Sequence, residues 1–164
     1  MIALSEINDL IRTYSKEMKI LHRRGDRAKI VQYLDQVSYT IASAPSSDLT
    51  IGFSIDILTA RFRLLHEMGE RIKCLDAIKE AYELNTKLKF ELYNYCTISA
   101  MLASAQLNAQ YFDESAETLS ELIKKCFHLN SSEIFGSSMS DFCGLAVNKQ
   151  EAFYVISLSV SKLS

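Results

Sequence analysis

Proline and glycine are nearly missing from this chain, with one proline, Pro45, and five glycines in 164 residues. A fold of many strands must turn often and draws on both residues, so their scarcity disfavours that architecture and favours long helices. A strong charge of either sign is also missing. The formal net charge of −2 gives no reason to expect a nucleic acid or an anionic membrane as an obligate partner. No apolar run approaches the roughly 18 residues that a membrane-spanning helix needs. The N-terminal Met1-Ile2-Ala3-Leu4-Ser5-Glu6 lacks the charged-then-apolar layout of a secretion signal. The four cysteines, Cys74, Cys96, Cys126 and Cys143, are spread through apolar-periodic segments. That suits reduced thiols filling a core better than a disulfide framework. The expectation is a cytoplasmic protein.

What is present is an ordinary globular composition, 48% hydrophobic and 23% charged, in a length that can bury a core as a single domain, 1–164. Apolar residues recur at helical spacing through most of it. Ile7, Ile11, Tyr14, Met18 and Leu21 trace one face of a first helix that stops at Arg24-Gly25. Asp26 reads as the N-cap of a second helix carrying Ile30, Tyr33, Leu34, Val37 and Ile41. Ala44-Pro45-Ser46-Ser47-Asp48 is a break. A third helix, from about Leu49 to Met68, is apolar on two sides, with Ile51, Ile55, Leu58, Phe62 and Leu65 on one and Phe53, Ile57, Leu64 and Met68 on another. Such a helix belongs between neighbours. Gly69 ends it; a fourth helix runs from Arg71 to about Thr86, a fifth from about Phe90 to Ala109, and a sixth from Asp113 to about Phe127. A terminal helix is expected around Phe153, Ile156, Val160 and Leu163.

A sequence echo joins these helices into pairs. Leu21-His22-Arg23-Arg24-Gly25-Asp26-Arg27-Ala28-Lys29 returns 44 residues later as Leu65-His66-Glu67-Met68-Gly69-Glu70-Arg71-Ile72-Lys73. A weaker copy, Leu107 to Ser115, follows after a further 41 or 42 residues. Each falls at the turn between two helices, the signature of an α-solenoid built from stacked helix pairs.

On these turns the chain resembles the tetratricopeptide repeat family. Gly69-Glu70-Arg71, with Cys74 and Ala81 at the small second-helix positions, carries the likeness in the second unit, and Tyr111-Phe112-Asp113-Glu114-Ser115 carries it in the third. The likeness covers residues 5–127. It departs from the family in period, which exceeds the usual ~34 residues, and at the small first-helix position. Met18 and Phe62 stand there in the first two units, and only Ala103 in the third is small. The resemblance implies an all-α, right-handed α-solenoid of three to four antiparallel helix pairs. The expected units are 4–44, 48–86 and 89–127, with a capping segment at 131–164.

It also implies a function. In that family the first helix of each unit lines a concave groove that holds a peptide or a partner's helix. The corresponding positions here are Arg12, Ser15, Lys19 and His22, with the neighbouring Arg23, on the first helix, and Asp56, Thr59, Arg63 and His66 on the third. Thr97, Ala100, Ser104 and Leu107 follow on the fifth. Residues three and four apart share a helix face, so the cations gather into a basic half-groove suited to an acidic segment or a terminal carboxylate. The competing reading is a plain solvated face of two amphipathic helices. The acidic run Asp113, Glu114, Glu117 and Glu121 complements a helix N-terminus, and the apolar residues of 131–164 either pack back as a cap or form a homodimer surface.

Neither a glycine-rich phosphate loop nor an HExxH or CxxC spacing occurs. His22, His66 and His128 are scattered, and Cys126 and His128, near neighbours on a helix, point in different directions and do not suit a nucleophile and its base. No catalytic residue, metal or cofactor is therefore expected. The expected role is a scaffold or adaptor that binds a protein partner. A small chaperone or a peptide-sensing regulatory domain is one alternative, and an enzyme with an unrecognised site is another.

Overall fold

The computed structural model describes the backbone of residues 4–90 and 92–134 and the side chains of residues 6–90 and 94–125. Among them are six helices and no strand: α1 Leu4–Arg24, α2 Arg27–Ala42, α3 Asp48–Glu67, α4 Arg71–Asn85, α5 Leu92–Asn108 and α6 Phe112–Ile134. The fold divides between Lys89 and Phe90 into two compact units, the first built of α1 to α4 and the second containing α5 and α6. No described helix is long and apolar enough to cross a membrane.

The helix ends follow from local chemistry. α1 stops where Gly25 takes a φ of +69°, a conformation that is cheap only without a Cβ. Its N–H bonds back to the carbonyls of Leu21 and His22, both at 3.1 Å. Asp26 then caps α2 by accepting the Lys29 backbone N–H at 3.2 Å, and its carboxylate pairs with the Lys29 ammonium at 3.0 Å. Pro45 cannot continue a helix, and Ser47 opens α3 through a capping box with Thr50. The Thr50 N–H donates to Ser47 Oγ at 3.3 Å, while Ser47 N–H donates to Thr50 Oγ1 at 2.9 Å.

The turns α1–α2, α3–α4 and α5–α6 share a positive φ at one position, and the second and third also share a hydrogen bond. Gly69 and Gln110 repeat the positive φ of Gly25, at +76° and +69°. The next residue's N–H reaches back across the end of the helix, from Glu70 to Leu65 O at 3.0 Å and from Tyr111 to Gln106 O at 2.9 Å. That is the six-to-one bond of a Schellman cap. The ion pair Asp26–Lys29 at 3.0 Å recurs as Glu70–Lys73 at 3.2 Å. The third turn places a glutamine where the first two place glycine.

Packing in the first unit is layered. Ile7, Met18 and Leu21 of α1, Ile30, Leu34, Val37 and Ile41 of α2, and Phe53, Ile57 and Leu64 of α3 form one buried cluster. α3 has a second buried face, made of Ile55, Leu58, Phe62 and Leu65. Here α4 packs with Cys74, Leu75, Ala77, Ile78 and Ala81 buried. The sequence expectation of a third helix apolar on two sides is met, except that Met68, at 42% exposure, lies past the helix end and outside the core.

In two of the helix pairs a side chain of the second helix reaches a backbone carbonyl of the first. Cys74 Sγ lies 3.6 Å from the Phe62 carbonyl oxygen, and Ser115 Oγ donates to the Ala103 carbonyl at 2.8 Å, each across twelve residues. The corresponding residues of the first pair are Ile30 and Met18, both buried and both large. A small side chain at that position of the second helix lets the backbones meet, and a bulky one holds them apart.

One sequence expectation needs adjustment. α6 does not end near Phe127 but continues to Ile134, because nothing from His128 to Ile134 is proline or glycine. The expected terminal helix, and most of the expected capping segment 131–164 with its homodimer surface, lie outside the described residues.

Candidate functional site

The candidate residues of the first unit sit on two solvent-facing stripes. On α1, Arg12, Ser15, Lys19, His22 and Arg23 are all exposed, because Ile7, Tyr14, Met18 and Leu21 turn the other side of the helix to the core. On α3, Asp56, Arg63 and His66 are exposed and Thr59 is half-buried. They occupy the strip left between the two buried faces of that helix. The α5 positions, Thr97, Ala100, Ser104 and Leu107, are half-buried in the second unit.

These side chains differ in what already holds them. Arg12 lies 3.8 Å from Asp9, one turn away on its own helix. Ser15 and Thr59 spend their hydroxyls on the carbonyls of Ile11 and Asp56, at 3.2 and 3.0 Å. His66 stacks on Phe62, one turn back, with ring centroids 6.0 Å apart. By contrast, Lys19, His22, Arg23 and Arg63 have no ion-pair partner among the described residues. An exposed cation without a fixed partner gives up little to meet an incoming carboxylate. Elsewhere in this unit cations are committed: Arg61 pairs with Asp35, and Arg27 lies 3.4 Å from Glu67.

Between α1, α2 and α3 lies an aromatic cluster that the sequence alone read simply as core. Tyr14 stacks on Tyr33 with centroids 6.2 Å apart and meets Phe53 edge-on at 5.2 Å. Burial pushes the Tyr14 phenol up to about 12, and the neighbouring Asp56 charge and Tyr33 add to the shift. Burial also raises Tyr33, with help from Glu17. Asp56 is exposed as a residue, yet enough protein surrounds its carboxyl to raise its pKa above the ordinary value. The cluster therefore ties α1 to α3 directly and sets a carboxylate beside a phenol. The available signal was tyrosine, rather than an aliphatic residue, at two core positions, Tyr14 and Tyr33.

Among the described residues, no group of three or more His, Cys, Asp or Glu side chains is placed to hold a metal. The side chains of Cys126, Phe127 and His128 lie outside the described residues. No family model matches the chain, and neither a curated protein nor a solved structure matches it.

Proposed function

We propose that this chain is a protein-interaction module, a tetratricopeptide-like right-handed solenoid of helix pairs. It takes an acidic peptide, or an acidic helix of a partner, on the exposed faces of α1 and α3. It works by holding rather than by chemistry, as an adaptor would. Lys19 and Arg63 are the principal contacts, Arg23 and His22 extend the basic face, and Ser15, Thr59 and His66 line it.

The observation that carries this reading is the pairing of repetition with uncommitted charge. A positive φ between paired helices recurs at Gly25, Gly69 and Gln110, at offsets of 44 and 41 residues, as expected of stacked helix pairs. On the outer stripes of the two first helices of this unit, Lys19 and Arg63 are exposed without ion-pair partners among the described residues. Cations arranged this way give charge-assisted hydrogen bonds to carboxylates.

The test is a peptide array with acidic and neutral sequences, each made with a free and an amidated C-terminus. Acidic peptides should be retained by the wild type and lost by Lys19→Glu/Arg63→Glu, with helix content unchanged. A free-carboxylate preference would locate recognition at the peptide's end. Equal retention of acidic and neutral peptides, or retention unaffected by the double substitution, contradicts the proposal.

A further inference from the structure

The outer face of α1 carries more cations than its helix end explains. Lys16, Lys19 and Arg23 are exposed at spacings of three and four, which places them on one stripe about 10 Å long at 1.5 Å per residue. A helix C-terminus attracts cations only within its last turn. Lys16 and Lys19 lie before that turn, which holds His22, Arg23 and Arg24. None of the three stripe residues has an ion-pair partner among the described residues.

α6 carries the opposite stripe at the same spacing. Glu114, Glu117 and Glu121 are exposed and lie away from the buried Ser115, Leu119 and Leu122. Asp113 and Glu114 stand in the first turn of α6 and suit its dipole, but Glu117 and Glu121 lie one and two turns further on, beyond that effect. These glutamates also have no ion-pair partner among the described residues. Lys125 is drawn off toward aromatic rings, 5.1 Å from the Phe90 centroid and 4.8 Å from that of Tyr95. Like charges three and four apart on one helix repel, and an opposing stripe of matching length relieves both sets.

We propose that the basic stripe of α1 docks on the acidic stripe of α6 from a second copy of this chain. It rests on the reading of α1 as an interaction face and names an occupant for it. The contact joins two different surfaces, so each copy offers one stripe of each sign, and assembly proceeds through reciprocal dimers, closed rings or open chains. Electrostatic contacts on exposed helices weaken as salt screens them.

Sedimentation velocity over a concentration series, at low and at high salt, tests this with two neutralised variants. In low salt the wild-type mass should rise with concentration, and high salt should reverse it. Lys16→Gln/Lys19→Gln/Arg23→Gln and Glu114→Gln/Glu117→Gln/Glu121→Gln should each associate roughly tenfold more weakly. Mixed together, they should form a one-to-one complex that grows no further, because each retains one working stripe. A wild type that stays monomeric in low salt, or a mixture that does not associate, overturns the inference. The glutamate-neutralised variant separates this from the interaction-module reading. If it still captures acidic peptides while the wild type fails to self-associate, only the second-copy inference falls. If peptide capture is absent as well, both fall.

Discussion

The thiol of Cys74 lies 3.6 Å from the carbonyl oxygen of Phe62, on the neighbouring helix of the same pair. In the last described pair, the Ser115 hydroxyl stands in the same place, 2.8 Å from the Ala103 carbonyl. At this position a small side chain leaves room for the carbonyl of the neighbouring helix. Replacing Cys74 with leucine should therefore overfill the contact and destabilise the protein by about 1–3 kcal/mol. Cys74→Ser should be well tolerated, because a hydroxyl already serves at Ser115. Ser115→Ala should lose about 1 kcal/mol with its hydrogen bond. Urea unfolding of the four proteins checks the order; a stable Cys74→Leu variant would show that the helices do not depend on close approach here.

Gln110 holds a φ of +69° without the freedom of glycine. The same corner is built with Gly25 and Gly69 in the first two turns. Gln110→Gly should stabilise the chain, by about 0.5–1 kcal/mol once the larger backbone entropy of glycine in the unfolded state is set against the relieved strain. Gly69→Ala should do the opposite, by about 1 kcal/mol. A Cβ at Gly69 meets no atom within 4 Å, so that loss reports the backbone conformation alone. Thermal unfolding of both variants reads the two signs directly.

Alkali should weaken the fold through two groups. Burial raises the Cys74 thiol to about 11, and burial with the Asp56 charge raises the Tyr14 phenol to about 12. A raised folded-state pKa means that the stability linked to the group is fully present below its ordinary value. For Cys74 it is lost as pH climbs from 9 through about 11, and for Tyr14 from 10 through about 12. Tyr14→Phe and Cys74→Ser should each flatten the decline, measured as the urea midpoint from pH 8 to 11.5. An unchanged slope in both would rule out these groups as its source.

Asp56 should act in the acidic range. Its raised pKa means that ionising it costs the folded state more than the unfolded one, so its contribution is favourable below the ordinary carboxylate value and is lost as pH rises through the folded value. Asp56→Asn should therefore stabilise the protein at neutral pH, with the gain shrinking as pH falls toward 3. A gain that is the same at both pH values would point to altered packing beside Tyr14 instead.

Much of the helix layout was legible because its causes are local. Asp26 as an N-cap, the break at Pro45 and the two apolar faces of α3 each rest on residues a few positions apart. The echo at Gly25 and Gly69 pointed to a common turn, and the positive φ values at both bear that out. The equivalence of Gln110 was harder to see, since a glutamine carries no left-handed signature. The end of α6 was misjudged because serine and asparagine slow a helix without stopping it. The aromatic cluster of Tyr14, Tyr33 and Phe53 depends on three helices meeting, which no single stretch of sequence encodes. The candidate surface was legible as a set of exposed positions. Which cations already had partners was not, because that depends on the neighbouring helix: Arg61 is taken by Asp35, while Arg63, two residues on, has no ion-pair partner among the described residues.

The most direct measurement is the affinity of an acidic peptide taken from the array, followed by fluorescence anisotropy across a salt series. The wild type should bind more weakly as salt rises, and Lys19→Glu/Arg63→Glu should bind at least tenfold more weakly at low salt while keeping its helical circular dichroism. Equal affinities for the two proteins, with no dependence on salt, would contradict the assignment of α1 and α3 as the binding face.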